Sequence, residues 1–94
     1  MTLYRVVSKA ELDDISRCAA FRTLPGQMEG KWFAESLEDA RIWGARLGIA
    51  ETTIVCASVP DSMANSLFRL GLLDGIGPAR FATEDDLPFL TPMV

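Results

Sequence analysis

The sequence predicts an α+β fold: a small mixed β-sheet with three short helices. Three observations carry this expectation. Short β-branched or aromatic runs at Leu3 to Val7, Trp32 to Ala34 and Thr52 to Val59 read as strands. A stretch with capping residues and helical apolar spacing follows each of them. The strands are short and no glycine-rich phosphate loop joins them, so the alternation argues for a small α+β domain over a doubly wound parallel sheet.

The elements follow in order. The first strand, Leu3 to Val7, ends at Ser8, and Ser8-Lys9-Ala10-Glu11 has the form of a capping box. In it the serine hydroxyl accepts one orphan N–H and the glutamate reaches back for another. Ala10, Leu12, Ile15 and Ala19 then lie near helical spacing, giving a first helix over about residues 9–19. Phe21 to Lys31 holds Pro25, Gly26 and Gly30 without a sustained period and reads as a loop, with a brief strand near Phe21. Trp32-Phe33-Ala34 is the second strand. Ser36 and Asp39 repeat the capping logic for a helix over about 37–47, which Gly48 ends in the left-handed conformation. Trp43, on that helix's apolar side, reads as core.

Thr52 to Val59 is a β-branched run suited to an interior strand, closed by Pro60. Asp61 or Ser62 caps a third helix carrying Met63, Ala64, Leu67 and Phe68 and reaching Leu70, with Gly71 as its stop. Asp74-Gly75 and Gly77-Pro78 mark turns, and Arg80-Phe81-Ala82 is the last short strand. Thr83 to Asp86 has a final cap pattern, ahead of a single turn through Leu90.

Ninety-four residues make one domain, 1–94, of ordinary globular composition, with 49% hydrophobic and 23% charged residues. Nine basic and thirteen acidic residues give a net charge of −4, and there is no basic run, which argues against a nucleic-acid partner. No apolar run approaches the ~20 residues that span a bilayer, and no signal-peptide pattern precedes the first strand. A cytoplasmic protein is expected. Cys18 and Cys56 lack CxxC spacing and histidine company, so the expectation is two reduced core thiols and no metal. Histidine is absent, which removes Ser-His-Asp and Cys-His chemistry.

Chemistry therefore falls to other side chains. Glu84-Asp85-Asp86 reads as first-turn capping before it reads as a magnesium site. Arg5 stands inside an apolar strand, where a cation needs either solvent or an anion. Its planar fork suits a phosphate or carboxylate. Lys31-Trp32 at a strand edge could present an aromatic ring to a flat heterocycle, with Phe33 beside it. Arg80 could join Arg5 across neighbouring strands or pair with an acidic neighbour.

Tyr4-Arg5-Val6-Val7-Ser8, the capped helix, the glycine-bearing loop and Lys31-Trp32-Phe33-Ala34-Glu35-Ser36 resemble small bacterial domains with the ADP-ribosyltransferase fold found among polymorphic toxins. Val59-Pro60, Leu73-Asp74-Gly75-Ile76-Gly77-Pro78 and Arg80-Phe81 are similar to the back half of such domains. The resemblance implies an ADP-ribosyltransferase-like fold that binds NAD and modifies a macromolecule. On this basis Arg5 would hold NAD phosphate or ribose, and Phe33 with Ser36 would shape the nicotinamide pocket beside Trp32. Glu84, the nearest carboxylate after the last strand, would be catalytic. The alternative is a non-catalytic interaction module of similar fold, such as an immunity, antitoxin or effector-binding protein, with a protein partner. The placement of Glu84 discriminates the two.

Overall fold

A computed structural model describes residues 1–23, 30–48 and 52–93. In chain order the elements are β1 (Thr2–Val7), α1 (Lys9–Cys18), β2 (Gly30–Ala34), α2 (Leu37–Leu47), β3 (Thr53–Ser58), α3 (Asp61–Ser66), β4 (Phe68–Leu73), β5 (Gly77–Thr83), a 3-10 turn (Leu87–Phe89) and β6 (Thr91–Met93). The strands form one sheet in the order β4-β5-β2-β1-β3-β6. Every pairing is antiparallel, so the α+β class holds and the expected mixed sheet does not.

Period-two alternation sends side chains to two different layers. Leu3 and Val7 of β1, Phe33 of β2, Val55 and Ala57 of β3 and Ala82 of β5 join Ile15 of α1, Phe21, Ala64 and Leu67, Leu87 and Leu90 in the main core. Burying a side chain of the Leu, Val or Phe type contributes about 1.5–3 kcal/mol relative to exposing it. Helix α2 packs over β1, β2 and β3. Its buried Ala40 lies near Tyr4, Val6 and Ala34, on the opposite side of the sheet.

The third helix is shorter than the spacing predicts. It stops at Ser66, Leu67 turns to extended backbone (φ −68, ψ 146), and Phe68–Leu73 is a strand. The cause lies further along the chain. Asp74 and Gly75 both take positive φ, as a primed hairpin turn requires, and Ile76 N–H donates to the Leu73 carbonyl at 3.0 Å. The turn folds 68–73 back onto β5, which is longer than expected at Gly77–Thr83, and β6 is an additional strand. The loop expected through Lys31 ends earlier, since Gly30 and Lys31 belong to β2. Phe21 is buried without forming a strand, and loop residues 24–29 lie outside the described residues.

Two expected caps are modified. The Thr83 hydroxyl does not accept as a cap would; Asp86 Oδ2 takes both the Thr83 N–H (3.1 Å) and its hydroxyl (2.9 Å). Neither Asp61 nor Ser62 caps α3, where Pro60 holds the N-cap position without a side-chain bond; the Asp61 carboxylate meets the Met1 amino group at 2.7 Å. Both cysteines are free, and neither is the expected core thiol: Cys18 is exposed at the end of α1, and Cys56 on β3 is only half-buried.

Candidate functional site

Strands β1 and β2 meet at one bridge among the described residues, Tyr4 opposite Ala34. Continuous ladders join β1 to β3 and β2 to β5. The sheet is thus two three-stranded halves sharing a narrow seam. Arg5 sits beside it. Its Nε and Nη2 donate to the two oxygens of Glu11 at 2.6 and 3.0 Å, and Nη1 donates to the Trp32 carbonyl at 3.0 Å. The guanidinium therefore ties a β2 carbonyl to β1 next to the seam. Its carbon lies 6.0 Å from the centre of the Phe33 ring.

Helix α1 delivers Glu11. Ser8 caps the helix by accepting the Glu11 N–H at 3.2 Å, as the capping box predicts. The glutamate side chain does not return to Ser8 but turns to Arg5, with Lys31 Nζ at 3.5 Å from the same carboxylate. Two cations compete for it, which is reason enough to leave the cap. Burial pushes the Glu11 carboxyl up, but Arg5 and Lys31 together outweigh it and hold the group below its ordinary value. The Lys31 ammonium is lowered, first by burial and then by the nearby Arg5 charge, with Glu11 opposing.

On the α2 side of the seam is a cavity of about 230 Å³. Tyr4, Val6, Trp32 and Trp43 form much of its wall, and Arg5, Phe33 and Leu47 also border it. Ala34, Ala40 and Ala79 complete the lining, and methyl groups at those three places leave the space open. Such a volume accommodates one planar ring system rather than a whole dinucleotide.

Of the five residues singled out from the sequence, Arg5, Trp32 and Phe33 line this cavity. Trp32 is half-buried and faces away from the main core, its ring centre 5.0 Å from Phe81 and 6.1 Å from Phe68. Phe33 is fully buried, edge-on to Phe21 at 5.1 Å. Ser36 is outside the lining; its hydroxyl accepts the Asp39 N–H at 3.1 Å as the N-cap of α2. Glu84 is exposed in the turn after β5, also outside the lining. Trp43, expected in the core, is half-buried on the cavity wall. The spacing of Ala40, Trp43 and Leu47 gave the signal for that wall, since these positions share one helical stripe.

A second charge cluster realises the acidic-neighbour alternative for Arg80, with Glu35 and Arg69 as members that the sequence did not name. Arg69 and Arg80 stand directly opposite each other on β4 and β5, a like-charge pair that is unfavourable by itself. Glu35 relieves it, accepting from Arg69 Nε at 2.8 Å and Arg80 Nε at 2.7 Å. Arg69 holds the Glu35 carboxyl below its ordinary value, against burial, and Arg80 adds to the effect. Arg80 also donates to the Ala64 carbonyl at 3.0 Å, near the end of α3. Phe33 lies opposite Arg80 on β2, so Arg80 pairs with Glu35 and not with Arg5.

The seam thus combines aromatic walls, backbone polar groups and one arginine whose three nitrogens each donate a hydrogen bond. The cavity's volume matches one flat ring, and among the described residues its lining contains no carboxylate for proton transfer. Among the described residues there is no group of histidine, cysteine and carboxylate side chains that could hold a metal ion, and no helix long and apolar enough to cross a membrane. No protein-family model, curated protein or solved structure matches the chain.

Proposed function

We propose that this protein is an ADP-ribosyltransferase-like domain that binds NAD, with one ring of the dinucleotide in the cavity at the seam. The observation that supports this reading is a ring-sized cavity bordered by Arg5, Trp32 and Phe33, with the Trp32 ring on the cavity's face of the sheet and the Arg5 and Phe33 side chains on the opposite face beside the seam. NAD phosphate or ribose would lie toward Arg5, and nicotinamide or adenine would lie against Trp32 and Trp43. For Arg5 to take a phosphate, it must release its hold on Glu11 and turn from the α1 face of the sheet toward the seam, and Lys31 remains to share that carboxylate.

Thermal unfolding with NAD tests the reading. A ligand at 100 times its dissociation constant adds about 2.7 kcal/mol, which raises the melting temperature of a domain this size by about 10 °C or more. The shift should disappear in Ala40→Leu, which fills the cavity, and shrink in Arg5→Ala. No shift in the unaltered protein would end the nucleotide reading.

The second reading is a non-catalytic interaction module, such as an immunity, antitoxin or effector-binding protein. It is favoured by the exposed turn position of Glu84, away from the cavity lining. Nicotinamide release separates the two. Release that is lost in Glu84→Gln supports a transferase modifying a macromolecule; a thermal shift without release supports a binding module.

A further inference from the structure

The two edges of the sheet are treated differently. Strand β6 is three residues long and carries Pro92, a residue that suits a protected edge. Strand β4 is six residues long and has no proline. Along it Phe68 is 61% exposed and Leu70 40% exposed. Both share a face with Phe81 and Ala79, their partners on β5, and Phe68 meets the Trp32 ring on that same face. The opposite face of β4 carries Arg69, with a 45% exposed side chain against 12% for Arg80. One carboxylate, Glu35, serves both arginines, so the cluster carries one surplus positive charge, and Arg69 is its exposed member. The bulge between Leu70 and Leu73 limits the regular edge to Phe68–Leu70.

An unpaired strand edge offers backbone N–H and C=O groups to another strand, and alternate side chains set which strand fits. We infer that β4 is a docking edge for an extended segment of a partner protein, one that alternates apolar residues with a carboxylate. Its apolar side chains lie beside Phe68 and Leu70 and its carboxylate reaches Arg69. Charge decides against a second copy of this chain in the same place. Two-fold pairing centred on Arg69 sets the arginines face to face, and centring it on Leu70 still brings two surplus-positive clusters within a Debye length of each other. An acidic segment neutralises the surplus instead. The inference is independent of whether the cavity takes NAD.

The probe is a capped hexapeptide in which three valines alternate with threonine, glutamate and threonine, titrated into isotope-labelled protein and followed by amide chemical shifts. Shifts are expected at Phe68–Leu70 and their β5 partners, away from the cavity stripe of α2. Lysine in place of the peptide glutamate should weaken binding at least about tenfold. Arg69→Gln should erase that preference, and Leu70→Lys should abolish binding while amide shifts away from β4 show the protein still folded. Equal affinity for the two peptides, or no shift at β4 up to about 10 mM, overturns the inference. So does sedimentation showing a concentration-dependent dimer that Leu70→Lys disperses, which would assign the edge to a second copy.

Discussion

Arg5 and Lys31 crowd one carboxylate, so replacing Glu11 by glutamine leaves two cations facing each other in a half-buried setting. At neutral pH Glu11→Gln should lower unfolding free energy by about 1–3 kcal/mol, discounted from a fully buried pair because the side chains retain some exposure. The pH dependence has a definite sign. The folded Glu11 carboxyl lies below its ordinary value, so its contribution is complete above the unfolded value, about 4.3, and is lost as pH falls through the lower folded value. Urea unfolding should therefore show the gap between wild type and variant closing below about pH 4. Asp14 behaves in the same sense over a wider window. The Arg22 hydrogen bonds, against some burial, hold its carboxyl down to about 2, so what Asp14→Asn removes is lost only as acidification approaches that value.

Backbone conformation decides the behaviour of the secondary-structure elements. At Gly30, the first residue of β2, a Cβ would run into the Ala82 carbonyl and the Phe81 ring. Backbone cannot step aside as a flexible side-chain end can. Gly30→Ala should therefore cost about 1–3 kcal/mol, whereas Gly77→Ala, which meets the Asp39 carboxylate, should cost less. Thermal melts of the two variants check the order. Ala19 ends α1 with φ 54, a conformation that strains an alanine. Ala19→Gly should raise stability by about 0.5–1 kcal/mol, measured by denaturant unfolding. The first two helix caps were legible in the sequence because Ser8 and Ser36 act on N–H groups three residues away. Strand β4 was not, since Phe68 and Leu70 fit a helix ending as well as a strand, and only the hairpin with β5 separates the two.

Phe33 couples the core to the candidate site across the whole fold. It is fully buried against Phe21, stands opposite Arg80 on β5 and borders the cavity. Phe33→Ala should cost about 3–5 kcal/mol, a large share of the 5–15 kcal/mol typical of a domain, and denaturant unfolding will register it. Loss of NAD binding in that variant would therefore report unfolding as much as a missing ring. Ala40→Leu acts on the cavity without removing core volume and is the cleaner probe. Between the two half-sheets, the one β1–β2 bridge among the described residues leaves part of the seam to side chains, Arg5 foremost.

Local chemistry was enough to place β1, α1, β2, α2 and β3, because caps, turn glycines and apolar periods act over a few residues. It was also enough to mark Arg5 and Trp32 as residues needing an explanation. Strand pairing, by contrast, joins residues far apart in the chain. The antiparallel order, the β4 edge, the Glu11 and Glu35 clusters and the cavity between Trp32 and Trp43 arise only when the strands assemble. A charge inside a strand can be recognised from its neighbours in sequence; the carboxylate that answers it is chosen by the fold.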